Sequence, residues 1–278
     1  MWRRLLHYLH AINAENIKEW KIELTYRADF IRGFIEPLIY VLPYVFYGLA
    51  IVGGRHSSHL KELVGSSDMI TYTVIGYVFM GFLNTACWAM GWALRKEQWF
   101  GTLESVFSTP VPRWVYVAGM ATHSTVHQGF IISIQMLVIH AIFKLVIDVT
   151  GLLPSLVICA LMLVALYGLG IMIAALALIF KEGWIVSEVV HTLIRIVTPI
   201  AYPVAVLPVV MQKVSMTLPT TYGLMVSRHW LMGEEIGFSV PMAFFRLTAI
   251  CVVWVSFGLF IFSVIDRRVR RTGTLGHY

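Results

Sequence analysis

Apolar residues in this chain fall into long unbroken blocks, unlike the alternation of a half-buried sheet or the narrow stripe of a soluble helix. Six blocks run over residues 34–53, 69–94, 119–147, 154–180, 185–205 and 241–265. Each reaches the roughly 20 residues a helix needs to cross a hydrocarbon layer of about 30 Å. A transmembrane barrel would show segments of about 10 residues with alternating polarity, and none of the blocks does. The pattern therefore predicts an all-α membrane protein with six transmembrane helices. Ahead of the first block, Trp2, Leu5, Leu9 and Ile12, then Ile17, Trp20 and Leu24, recur at helical spacing with one slip near Asn16. This predicts an amphipathic interfacial helix within residues 1–32, lying on the membrane before the first crossing. The opening MWRRLLHYLH is not expected to act as a signal peptide, because Glu15, Lys18, Glu19, Lys21 and Glu23 stand where an uninterrupted apolar region is required.

Two segments do not fit the blocks. Residues 206–240 carry Pro208 and Pro219, with Pro203 just before them, around short apolar runs such as VAVLPVVM. The segment is too apolar for a free loop and too broken for a further crossing. It predicts an outer re-entrant region between helices five and six, tolerated at membrane depth only where protein covers its backbone. The other segment, RKEQWFGTLESVFSTPVPRW at Arg95–Trp114, interrupts two of the most apolar stretches. On a helical wheel Trp99, Phe100, Leu103, Val106 and Phe107 share one face, while Glu97, Gly101, Glu104, Ser105 and Ser108 gather opposite. That places the aromatic face against the bundle and the acidic, small-residue face toward water. Gly101 either divides the segment or permits a close backbone approach, and Pro110 and Pro112 stop it. The residues alone are compatible with an exposed docking helix or with a plain surface connector.

Composition agrees with a membrane setting: 58% of residues are hydrophobic and 13% charged, against about 25% charged in soluble domains. Charge then orients the bundle. If six helices alternate, fourteen of the 21 Lys and Arg lie on one side: six up to Arg32, three within 95–118, Lys181, and four in the tail DRRVRR. Arg55, Lys61, Lys213 and Arg228 lie on the other side. The positive-inside rule places both termini and the 95–118 loop in the cytoplasm of a multi-pass protein of the cell (plasma) membrane. The same bias explains the net charge of +6 without nucleic acid as a partner. Cys87, Cys159 and Cys251 lie inside apolar blocks at no metal-binding spacing and read as core residues. With no internal repeat and no composition shift, one membrane domain fills residues 1–278.

The run E-x-x-x-G-T-L-E-S-V-F-S-T-P-V at Glu97–Val111 resembles the intracellular loop of type 2 ABC transporter permeases, the membrane subunits of ABC exporters. The resemblance extends to the amphipathic first helix with Tyr26 and Arg27 before the first crossing. It also takes in the six crossings, the outer stretch PIAYPVAVLP at Pro199–Pro208 and LPTTYGLMVSR at Leu218–Arg228. It implies that the 95–118 loop carries a coupling helix, with Glu97, Gly101, Thr102, Glu104 and Pro110 as the residues coupling it to an ATPase. The chain has no G-x-x-x-x-G-K-[ST] phosphate loop, so no cofactor is expected here, with ATP and Mg on the partner subunit. The implied partners are an ATP-binding ABC subunit, a second permease copy or homologue in a dimer, and membrane lipid. The implied function is export of an amphipathic, drug-like or lipid-like substrate. Within the same fold, a permease for a lipid-linked polysaccharide is the alternative.

Polar residues inside the blocks are few. In the fifth, Glu188, His191 and Arg195 stand at i, i+3 and i+7, hence on one helix face. A mid-span arginine costs about 2.5–3.5 kcal/mol on insertion scales, so the three form either a structural polar cluster between helices or part of a substrate path or subunit contact. His123 and His127 have a zinc-compatible spacing, but no third ligand accompanies them in sequence and the acid of H-E-x-x-H is absent. They are expected to mark the inner edge of the third helix, with no metal. Lys144, Asp148 and Arg246 read as anchors at span ends, and Arg32 with Glu36 as a local pair. No nucleophile and base stand together, so catalysis in this chain is not expected. A lipid-modifying enzyme built on the histidines or the Glu188 face, and an anchor that only recruits an ATPase, are the readings from other classes.

Overall fold

The computed structural model describes residues 2–89, 96–97, 99–102, 105–106, 108–179 and 183–272. These residues are almost wholly helical. Helix α1 (Trp2–Thr25) is followed after a single residue by α2 (Arg27–Val52), which continues through Pro37 and Pro43. A short α3 (Ser58–Val64) leads to α4 (Met69–Asn84), which ends in a π-helical turn at Thr85–Ala89. After the 95–118 loop come α5 (Arg113–Phe143), α6 (Leu152–Ile179), α7 (Gly183–Val197), α8 (Val209–Ser215), α9 (Pro219–Met232) and α10 (Val240–Thr272).

Five stretches are long and apolar enough to cross a membrane: Arg27–Val52, Met69–Ala89, Trp114–Phe143, Val149–Leu176 and Val240–Arg268. They correspond to five of the six apolar blocks. The fifth block, 185–205, is helical only to Val197. Pro199 and Pro203 offer no N–H to a continuing ladder, and the backbone from Thr198 to Tyr202 is irregular. At 1.5 Å per residue, α7 reaches only about 22 Å.

Local signals explain several boundaries. Ser57 caps α3 by accepting from Leu60 N, and Asp68 caps α4 by accepting from Ile70 N and Thr71 N. Asp68 also holds Arg55 at 2.7 Å, and Arg55 donates to Phe143 O and Lys144 O at the end of α5. One arginine thus ties the α2–α3 turn to two helix termini. Burial would raise the Asp68 pKa, but Arg55 and Thr71 outweigh it and hold the carboxyl below its ordinary range.

The largest apolar cluster joins Ile75, Phe79, Leu83, Ile158, Met162, Leu166, Ile173, Leu224 and Leu247 from α4, α6, α9 and α10. Helices α6 and α10 approach through small residues: a Cβ on Gly258 would lie 2.0 Å from Gly168 O. Cys87, Cys159 and Cys251 are all buried and unbridged, as core residues should be. Helix α9 is the most enclosed of the short helices, with Thr221, Leu224, Val226, Ser227 and Arg228 fully buried.

Candidate functional site: the 95–118 loop and the charge network behind it

Just over two turns of α1 place Glu15, Lys18, Glu19 and Glu23 on the side that packs against α5, since positions three and four apart stack on one helix face. The 95–118 loop meets this face through Lys96 and Glu97. Lys18 Nζ lies 2.6 Å from Glu15, 3.0 Å from Glu97 and 3.4 Å from Glu19, while Lys96 Nζ lies 2.5 Å from Glu19. Glu97 also accepts from the Tyr116 hydroxyl at 2.8 Å and from the Thr102 hydroxyl. Burial alone would push the Glu97 pKa up; the bonds from Thr102, Lys18 and Tyr116 win and hold it below the usual range. Glu15 goes the other way, raised by burial despite Lys18. Burial would lower Lys18, but Glu15 and Glu97 raise it above its ordinary value.

This arrangement corrects the helical wheel. Glu97 is 6% exposed and faces the bundle, whereas Trp99 and Phe100 are 78% and 71% exposed. The bonds from Lys18, Thr102 and Tyr116 hold Glu97 inward, and Gly101, whose φ of +68° lies in the left-handed region, ends the register begun at Lys96. Residues 97–108 therefore do not share one wheel. A Cβ at Gly101 would meet nothing within 4 Å, so the glycine serves the turn and not a close approach. Thr102 and Pro110 are exposed, Val106 packs beside Tyr116 and Met120 as the wheel placed it, and Glu104 lies outside the described residues. Between α1 and the loop runs a groove of about 320 Å³ lined by Ala11, Ala14, Val106, Val111 and Val115, with Glu15, Lys18 and Tyr116 among its walls.

Deeper along α1, the structure brings Glu23 to the two histidines. Glu23 Oε1 lies 3.1 Å from His123 Nε2 and 3.8 Å from His127 Nδ1. Sequence reasoning missed this partner, although Glu15, Glu19 and Glu23 repeat at i+4 and so had to share a face. Burial raises the Glu23 pKa, but the two histidines and Lys96 outweigh it and hold it low. Among the described residues, the one group of three ligand atoms within 4.8 Å of each other is Glu15, Glu19 and Glu97. Lys18 and Lys96 already neutralise it.

The residues of the fifth block are less convergent. On α7, His191 is buried, while Glu188 and Arg195 are exposed. Glu188 accepts from Thr192 at 3.1 Å, and among the described residues Arg195 forms no ion pair. The same helix also exposes Trp184, Ile185, Val189, Leu193 and Ile196.

Arg228, assigned by charge counting to the outer loop, is instead fully buried. It donates to Pro199 O at 2.7 Å, Ile200 O at 2.5 Å and Tyr72 O at 2.8 Å, and its guanidinium stacks 3.5 Å from the Tyr72 ring centroid. Glu234, 4.0 Å away, has its pKa raised by burial to about 7, against a smaller opposing effect of Arg228. No spacing signal marked this site, because its acceptors are backbone carbonyls exposed by the break after α7.

The apolar spans make this a multi-pass membrane protein, in which the charged 95–118 loop is tied to α1 and α5. A family model described as ABC-2 type transporter matches residues 19–232, and the chain belongs to that family. No curated protein matches it. Membership makes the chain the permease component of an ABC transporter, a membrane subunit of a family that is generally not itself catalytic and normally pairs with an ATP-binding subunit.

Proposed function

We propose that this permease exports an amphipathic, drug-like or lipid-like substrate, with energy from a separate ATPase that binds ATP and Mg and docks on the 95–118 loop. The observation that carries the reading is the pairing of opposites at the loop: Trp99 and Phe100 stand in the open while Glu97 is anchored to α1 and α5. Exposed aromatic side chains suit a protein partner. A push on the loop passes through Lys96–Glu19 and Lys18–Glu97 to α1, and through Glu97–Tyr116 to α5. Two helices then tilt together, and the bundle moves between inward and outward access. The ATPase biases that equilibrium only by binding the two states unequally.

In this reading both termini are cytoplasmic in the plasma membrane, and α1 lies in the interface. Helix α7 with the α8–α9 hairpin completes the sixth crossing and its outer re-entrant cap. The uncovered face of α7, with Glu188 and Arg195, meets a second permease copy. The test is reconstitution of the chain with its ATPase. Trp99→Ala with Phe100→Ala should lose ATPase binding, and Gly101→Val should keep binding but uncouple hydrolysis from transport, since a β-branched residue is strained at positive φ. Normal coupling in both would return the loop to a plain connector. Unchanged transport in an assembled Arg195→Ala complex would remove α7 from the path and the subunit contact.

A further inference from the structure

Where α1 packs on α5, several buried polar atoms are unsatisfied. His123 is 3% exposed, yet neither of its ring nitrogens makes a hydrogen bond, and the same holds for His127 Nε2 and Glu23 Oε2. Glu23 Oε1 reaches both rings, at 3.1 Å from His123 Nε2 and 3.8 Å from His127 Nδ1. The shorter contact is close enough to share a proton but is not aligned as a hydrogen bond. Trp20 of α1 stands at near right angles to both imidazoles, with centroids 4.9 and 5.9 Å away. Phe30 and Phe34 of α2 reach His127 at 6.1 and 6.0 Å. The charge of this pair is therefore felt by α1 and α2 as well as by α5.

Buried polar atoms without partners cost free energy, and a ligand that pairs them recovers it. A cavity of about 460 Å³ opens on the two histidines and Glu23, with Glu19, Lys96 and Ser124 also in its wall. Charge selects the ligand. Lys96 and Lys18 meet Glu19, whereas the groups that form ion pairs with Glu23 among the described residues are the two imidazoles; Lys96 acts on it more weakly. A neutral imidazole carries one bare ring nitrogen, so the pair offers Glu23 a positive charge by binding a proton. A metal ion would need its ligand atoms about 2.0–2.2 Å from one centre. Glu23, His123 and His127 do not bring three ligand atoms within 4.8 Å of one another. Two protons would set two imidazoliums side by side, with ring centroids 6.1 Å apart, so the site takes one.

We infer that Glu23 and His123, beside His127, form a one-proton site that fastens α1 to α5, so that the joint tightens on acidification and loosens as pH rises through the imidazole range. The sign follows from linkage. Undocking α1 takes Glu23 away from His123, so the docked state holds the proton more tightly, and by reciprocity the proton favours docking. Burial works against both charges, but at Glu23 the pairing wins, since its carboxyl is held below the ordinary range. The same face of α1 holds Lys96 and Glu97, so the 95–118 loop inherits the pH dependence. The inference concerns this joint and does not rest on the export reading.

The test is an isotope-edited NMR titration of the histidine rings in the full chain, held in lipid nanodiscs without nucleotide or ATPase, with His123 assigned from His123→Gln. In parallel, spin labels at Leu9→Cys on α1 and Ile134→Cys on α5, both exposed positions, report the distance between the helices. Distances are read at about pH 5.5 and about pH 8.5, either side of the ordinary imidazole value. His123 should take up a proton in this interval, and Glu23→Gln should weaken its proton affinity about tenfold, the effect of one close opposite charge. The docked population should fall about tenfold relative to the undocked one as pH rises, by the same linkage. Glu23→Gln and His123→Gln should each abolish that response, and His140→Gln, at the far end of α5, should keep it. Glu23 is partly exposed, so its variant decides the matter even if His123→Gln does not fold. Unchanged His123 affinity in Glu23→Gln, or a distance indifferent to pH, would overturn the inference. Saturable Zn²⁺ binding lost in both variants would also overturn it, since the ligand would then be a metal ion. Because no ATPase is present, a failure here is distinct from a failure of coupling.

Discussion

Two of the sites where the described residues bury charge solve the problem differently. Beside the 95–118 loop, Lys18 and Lys96 meet three carboxylates, and every one of these contacts is side chain to side chain. In the Arg228 region, the guanidinium gives its donors to three backbone carbonyls, two of them in the irregular segment after α7. A side-chain network can exchange partners as helices slide, because each lysine has three donors and more than one acid within reach. An arginine fork bound to fixed carbonyls has one arrangement that satisfies it. In the proposed function the Lys18–Glu97 region transmits movement, whereas the Arg228 fork holds the broken segment after α7 in one arrangement.

That contrast is open to attack in order of effect. Arg228→Met should be the most damaging change, costing about 3–5 kcal/mol because it orphans buried acceptors and leaves Glu234 without its counter-charge; thermal stability of the purified protein would report it. Gly76→Ala comes next, since its Cβ would lie 1.8 Å from Ile200 O and backbone must yield. An overpacking cost of about 1–3 kcal/mol is expected. Glu97→Gln should cost only about 1 kcal/mol, as Lys18 retains Glu15 and Glu19, yet it should lower transport per ATP hydrolysed. If Glu97→Gln proved as destabilising as Arg228→Met, the two regions would not differ in kind.

Smaller again is a pH effect. The Glu234 pKa rises from 4.5 to about 7 on folding, so between those values the native state holds a proton that the unfolded chain has lost. Stability from this group is full below pH 4.5 and falls as pH rises toward 7. Glu234→Gln should flatten that slope, and an unchanged melting profile from pH 4.5 to 7 would show that the carboxyl does not titrate there. Smallest of all for stability is Trp99→Ala with Phe100→Ala, expected within about 0.5 kcal/mol, since both rings are exposed.

How far the residues alone could be read varies along the chain. Uniformly apolar blocks need no register to be recognised, so five spans were legible. The 95–118 loop could be located by its charges and prolines, but its buried face could not, because Glu97 is held by Lys18 and Tyr116 from other elements and the positive φ of Gly101 breaks the wheel between the residues before and after it. The Glu23 contact lay half in view, in the i+4 series on α1, while its histidine partners sit about a hundred residues away on α5. Arg228 was out of reach, since its ligands are peptide carbonyls and every residue has one.

Block length by itself determined that the chain is a helical membrane protein with a charged loop between its second and third spans, because hydrocarbon thickness acts on each segment independently. Tertiary structure alone decided which charges are buried and what satisfies them. Pairing depends on distances between elements far apart in sequence: Lys18 to Glu97, Glu23 to His123, and Arg228 to the break that follows α7.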